Sequence, residues 1–166
     1  MRRPHRYYLS LGSNIEPERN LARAIRRLRG YGEVQDTSGV WESHAVGSDG
    51  PDFLNVCIGF STRVGAFELK REVVESIETA LGRAKAPDKN APRTIDIDIL
   101  MQDGQPLNPE RWGHAFVVLP MAELLPDMPH PISGKRLAEE SVDVRASMWI
   151  HRRPDIVKDR EETGGT

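Results

Sequence analysis

Asp96 and Asp98 stand two positions apart in the stretch APRTIDIDIL, residues 91–100, alternating with Ile95, Ile97 and Ile99. The β-branched residues at every second position predict a strand with one face turned to a core. Both carboxylates then share the opposite face with Thr94, their Cβ atoms roughly 7 Å apart. An acidic pair on a strand can serve only to keep a sheet edge soluble. Three neighbours point instead to chemistry: Arg93, the basic loop GRAKAPDKNAPR at 82–93 with Arg83, Lys85 and Lys89, and a Gly-Ser-Asn turn at 12–14. Together they describe a polyphosphate site. Carboxylates hold Mg²⁺ through one or two oxygens and leave the remaining positions to substrate phosphates. Two such ions ~3.5–4 Å apart clamp a phosphorus under attack, and arginine adds bidentate contacts that lysine does not make. The chemistry predicted is transfer of a phosphoryl-type group.

Other classes lack support. No Walker A pattern, kinase glycine loop or G-x-G-x-x-G is present, and no nucleophile elbow places a serine. His44, His114, His130 and His151 lie far apart without zinc-ligand spacing, and read as surface or loop residues. The single cysteine, Cys57, lies in an apolar stretch, forms no internal disulfide and reads as a small buried hydrophobe. A formal charge of −2 over 166 residues does not suggest a strongly basic surface for nucleic acid, although it leaves room for local basic clusters. The N-terminal MRRPHRYY lacks the apolar stretch of a signal peptide, and no run approaches the ~20 apolar residues of a membrane span. A cytoplasmic protein, with no membrane or nucleic-acid partner, is expected.

The elements that must position the aspartates read in order. Tyr7–Leu11 is a short strand, ending at a Gly12-Ser13-Asn14 turn from which a helix starts near Pro17. Leu21, Ala24, Ile25 and Leu28 recur at helical spacing, with five arginines on the solvated faces. Val34–Trp41 and Phe53–Thr62 are strands separated by the loop ESHAVGSDGPD, and a second helix covers Ala66–Leu81. After the Asp-Ile-Asp strand, Asp103-Gly104 predicts a hairpin turn. AFVVLPMAELLPDMPHP predicts a final strand followed by a short helix or turn. The order is that of an α+β, ferredoxin-like βαββαβ fold: an antiparallel sheet, helices on one face, and a C-terminal extension. One domain, residues 1–151, is expected, with 152–166 a disordered charged tail.

The motifs YLSLGSN (8–14), PDFLN (51–55), IETALGR (77–83), PRTIDIDIL (92–100) and FVVLPMAELLPD (116–127), in that order, make the chain resemble the 6-hydroxymethyl-7,8-dihydropterin pyrophosphokinases. PRTIDIDIL is the most specific of them. The resemblance implies transfer of the β,γ-pyrophosphate of ATP to the hydroxymethyl group of the pterin, releasing AMP, in folate synthesis. It implies that Asp96 and Asp98 bind two Mg²⁺ ions, with Arg83 and Arg93 contacting ATP phosphates from a mobile loop and its hinge. ATP contacts are further implied for Glu75, Lys85, Ile99, His114 and, more weakly, Glu78. For the pterin it implies hydrogen bonding by Asn55, stacking between Phe53 and Phe116, and backbone contacts from Ser43 and Val46, whose side chains matter less. A monomer acting on small molecules is implied.

Departures gather at the site. Asn90 and Ala91 stand where the family has tryptophan and glycine. His114 stands at the position of an arginine, so a phosphate contact is lost or becomes pH-dependent unless Trp112 or Arg111 substitutes. His44 stands where proline is usual. Two alternatives stay open from the sequence: a diverged pyrophosphokinase for another pterin-like acceptor, and a non-catalytic pterin- or nucleotide-binding protein.

Overall fold

A computed structural model describes residues 3–45, 50–82 and 95–156. The sheet forms around β1 (His5–Ser13), which pairs antiparallel with β4 (Phe53–Thr62) on one side and β5 (Asp96–Gln102) on the other. β5 turns back into β6 (Gln105–Pro106) through Asp103 and Gly104, whose φ values of 48° and 82° are those of the predicted hairpin turn. Along the far side of β4 run β2 (Glu33–Thr37) and β3 (Trp41–Ser43), and β7 (Ile150–Arg152) adds to β3. Every pairing among these described strands is antiparallel, in the order β6-β5-β1-β4-β3-β7 with β2 on β4.

The strand predicted over Val34–Trp41 is thus two strands. Between them Ser38 stays on β4: its N–H donates to the Cys57 carbonyl and its Oγ accepts from the Cys57 N–H, both at 2.9 Å. The hydroxyl replaces a ladder acceptor, so the backbone bends without leaving a buried amide unpaired.

One face of the sheet carries Tyr7, Leu9, Leu11, Leu54, Val56, Ile58, Phe60, Ile97 and Ile99. Against it lie α1 (Pro17–Arg29), burying Leu21, Ala24, Ile25 and Leu28, and a helical segment made of α2 (Ala66–Glu68), a π-helical stretch (Leu69–Val74) and α3 (Glu75–Ala80). These are the two helices the pattern predicted. The π-helical stretch was not predicted, because its apolar residues keep nearly the same stripe with one residue more per turn.

The C-terminal extension covers the other face. AFVVLPMAEL is not a strand but α4 (Ala115–Leu124), with Val117, Val118, Leu119, Pro120 and Met121 all buried. A short apolar run with adjacent valines and an internal proline reads as a strand because a helix buried on all sides shows no period. α5 (Leu137–Ser147), which the sequence did not reveal, packs on α4 and buries only Leu137 of its own length. Residues 152–156, expected in the disordered tail, are part of the fold. Arg152 belongs to β7, the Arg153 N–H donates to the Val40 carbonyl at 2.7 Å, and Ile156 joins the core. Residues 157–166 lie outside the described ones.

Candidate active site

In an antiparallel sheet, residues opposite one another point to the same face. Gly12 of β1 faces Asn55 of β4 on one side and Asp96 of β5 on the other, and Asn55 in turn faces Trp41 of β3. Trp41, Asn55, Gly12 and Asp96 therefore form one row across the sheet, on the face away from α1. The next row is Cys57, Ser10 and Asp98. With neighbouring strands about 4.8 Å apart, Asn55 and Asp96 stand roughly 10 Å from each other across the glycine. A Cβ on Gly12 would lie 3.1 Å from Asn55 Oδ1 and 3.6 Å from Phe53 Cδ1, so the missing side chain leaves the room into which Asn55 Oδ1 and the Phe53 ring reach.

Asn55 is buried and oriented. Its Nδ2 donates to the Trp41 carbonyl at 3.1 Å and to Ser43 Oγ at 2.9 Å, which turns Oδ1 to the cleft as an acceptor. The Ser43 side chain thus shares with the Trp41 carbonyl in setting this orientation. Trp41 is held from behind by Glu123 of α4, which accepts from the indole Nε1 at 2.7 Å, from the Gly39 N–H at 2.9 Å and from Arg152 Nε at 3.1 Å.

Asp98 meets Arg111, whose Nη2 lies 3.4 Å from its Oδ1. Nearby, Glu78 of α3 accepts from the Ile97 N–H at 3.3 Å, and Ile99 donates nothing from its side chain, which is in the core, while its carbonyl accepts from Asn108 Nδ2 at 3.1 Å. Any contact from Ile99 to a nucleotide is thereby confined to its backbone. Glu75 is exposed on α3. Past the short 3-10 helix Pro109–Gly113, His114 stacks on Phe116, ring centroids 4.8 Å apart and planes within 11°. Burial, and then the Arg111 charge, hold the imidazole below its usual range, so it is neutral at pH 7. Phe116 packs against Trp41, Ala115, Leu119 and Ile150, on the same face as the row.

The Gly-Ser-Asn motif is not a phosphate-cradling turn. Gly12 and Ser13 continue β1, and Asn14 Nδ2 donates to the Pro51 carbonyl at 3.2 Å, joining the end of β1 to the start of β4. Burial raises the Cys57 thiol far above its usual range, which leaves it inert as expected. His130 is buried, not a surface residue: Nδ1 accepts from the Ile132 and Ser133 N–H groups, so Nε2–H donates to the Trp112 carbonyl at 2.6 Å. At the mouth of the cleft, His44 Nδ1 lies 2.8 Å from Asp52 Oδ1, and its ring stacks on Trp149 at 3.9 Å and 10°. Val46, Arg83, Lys85, Asn90 and Arg93 lie outside the described residues. The sequence missed the part played by Gly12, which acts by lacking a side chain, and the place of Trp149.

The profile of the family described as 7,8-dihydro-6-hydroxymethylpterin-pyrophosphokinase (HPPK) matches residues 8–126. A 2-amino-4-hydroxy-6-hydroxymethyldihydropteridine pyrophosphokinase of Synechocystis sp. is 32% identical over 158 residues, covering 87% of this chain and 80% of that protein. The protein of the same name from Methylorubrum extorquens is 35% identical over 146 residues, covering 81% and 90%. Among solved structures, a Plasmodium falciparum HPPK-DHPS variant with pteroate superposes with a TM-score of 0.59 at 10% identity, over 84% of this chain and 43% of that one.

Proposed function

The chain belongs to the 7,8-dihydro-6-hydroxymethylpterin-pyrophosphokinase family, and we propose how its residues divide the reaction of that family between them. It transfers the pyrophosphoryl group of ATP to the hydroxymethyl oxygen of hydroxymethyldihydropterin in folate synthesis. The oxygen bonds to the β-phosphorus, the bond between that phosphorus and the α-bridging oxygen breaks, AMP leaves, and the hydroxyl proton is released.

The observation that carries the division of labour is the row Asn55–Gly12–Asp96. Asn55 Oδ1 accepts a hydrogen bond from the pterin's amide-like edge. The flat ring lies over Gly12 between Phe53 and Phe116, which directs its one-carbon arm to the aspartates. Ser43 and Val46 contact the ring from the adjoining loop. Asp96 and Asp98 hold two Mg²⁺ ions. The fit rests on their oxygen-only donor set and on Asp98 already holding a guanidinium. No cluster of three metal-binding side chains exists among the described residues, which suits an ion completed by water and phosphates. When bound, the metal supplies charge neutralisation along the triphosphate. Arg83, Lys85 and Arg93 contact the phosphates, and Glu75, Ile99 and His114 border the nucleotide. Positioning on a rigid sheet does the rest, since phosphoryl-type transfer needs alignment more than covalent help. We place the enzyme in the cytoplasm as a monomer; no helix of the described residues is long and apolar enough to cross a membrane.

The test is AMP release with ATP, Mg²⁺ and 6-hydroxymethyl-7,8-dihydropterin, with mass spectrometry of the pterin product. Wild type is expected to form the pterin diphosphate, and Asp96→Ala or Asp98→Ala to lose a factor of about 10³ or more in rate. Turnover at the wild-type rate in either variant overturns the metal assignment.

A further inference from the structure

Arg111 projects from a turn that is fixed at both ends. On one side Asn108, in the left-handed conformation at φ 50°, accepts from the Arg111 N–H at 2.9 Å and is pinned to β5 through Ile99. On the other, Trp112 is wholly buried and its carbonyl is held by His130. The Arg111 side chain is 37% exposed while the Asp98 carboxylate it meets is 19% exposed, so the pair is partly withdrawn from solvent. A guanidinium and a divalent cation repel each other and compete for the same carboxylate oxygen. A metal that takes Asp98 Oδ1 displaces Arg111 from it. Its backbone stays where it is, and the released group, with five donors in a planar fork, matches phosphate oxygens better than it matches water. The neighbouring imidazole of His114 is neutral and supplies no competing charge.

We propose that Arg111 is an additional phosphate-binding residue that holds Asp98 in the nucleotide-free protein and exchanges it for the triphosphate when Mg²⁺ and ATP enter together. This rests on the assignment of Asp96 and Asp98 to the metal. One residue then has opposite effects on two equilibria: it opposes binding of the metal alone and favours binding of the metal–nucleotide complex. Free divalent ion is kept out of the cleft until a triphosphate brings it.

The experiment measures Mn²⁺ binding without nucleotide, by electron paramagnetic resonance, and binding of Mg²⁺–α,β-methylene-ATP, by calorimetry. Both are read in wild type, Arg111→Ala, Arg111→Gln and Arg111→Lys. In the Ala and Gln variants Mn²⁺ alone is expected to bind several-fold tighter and the nucleotide complex about tenfold weaker, the size of one charge-assisted hydrogen bond. The Lys variant, which keeps the charge but not the fork, is expected between these and wild type on both axes. Weakening of both ligands in the Ala and Gln variants makes Arg111 a structural prop and overturns the inference. Tighter metal with unchanged nucleotide leaves a counter-ion without a phosphate role and overturns it too. Wild type that binds neither probe defeats the metal assignment itself, and this inference with it. That outcome is distinct from the other two because it appears before any substitution.

Discussion

Gly12 contributes to this site by leaving space. Its register sets it between Asn55 and Asp96, under the proposed position of the pterin, and the Cβ of an alanine would press on Asn55 Oδ1 at 3.1 Å. Gly12→Ala is expected to raise KM for the pterin by about tenfold, while the melting temperature moves by only a few degrees, because the strand itself gains from the substitution. Steady-state kinetics with each substrate varied checks this; a rise in KM for ATP instead would place the nucleotide over Gly12. Ser43→Ala belongs with it. Loss of the Oγ acceptor frees one donor of the buried Asn55 amide, at a cost of about 1–2 kcal/mol in stability, and loosens the orientation of Oδ1. Chemical denaturation reads the first effect and KM for the pterin the second. The aspartates were legible in the sequence because alternation with isoleucine says which face they occupy. Gly12 was legible only as a turn former, since its meaning depends on register with two strands distant in the chain. The bond from Asn55 to Ser43 was not legible for the same reason: the two residues are on different strands.

Among the elements, α1, the second helix and β4 were read from their patterns, whereas Val34–Trp41 proved to be two strands, the buried α4 was read as a strand, and α5 was not seen. α1 and β4 have the limits their periodicities gave, Pro17–Arg29 and Phe53–Thr62. α4 shows no period because both sides are covered, by the sheet and by α5. Its attachment is polar as well as apolar, through Glu123. Burial pushes that carboxyl up, but Arg152, the Gly39 N–H and the Trp41 indole outweigh burial and hold it below its ordinary value of 4.5. A folded-state value below the unfolded one means stability that is complete above about pH 4.5 and is lost as the pH falls through the lowered value. Glu123→Gln is expected to cost about 2 kcal/mol at pH 7 and to flatten the fall in stability below pH 4.5. Urea titrations across that range read both, and an undiminished acid slope in the variant would assign the slope to other carboxylates. Because Trp41 carries the carbonyl that orients Asn55, the same variant is expected to raise KM for the pterin.

At the scale of the whole molecule, the strand order divides the substrates. β5, toward one side of the sheet, bears the carboxylates proposed to hold the metal, β4 and β3 on the other side bear the residues proposed to meet the pterin, and β1 between them bears the glycine. The last described residues close the pterin side. β7 pairs with β3, Arg153 reaches Glu42 at 3.0 Å, and Trp149 lies flat on His44, whose Asp52 partner stands at the start of β4. A three-residue strand carries too little sequence pattern to be seen, and its charged neighbours read as a solvated tail. The physical consequence is that the C-terminal segment anchors β3, which bears Ser43, and the base of the loop that follows it. Trp149→Ala removes the stacking surface from His44 and is expected to raise KM for the pterin several-fold with KM for ATP unchanged. Trp149→Phe keeps a flat ring over the imidazole and is expected to restore most of the loss. A simple loss of folding would lower both affinities together and would not be rescued by phenylalanine in one of them alone. Selective loss and selective rescue would establish that the pterin half of the site depends on a segment separated from Asn55 by more than ninety residues of chain.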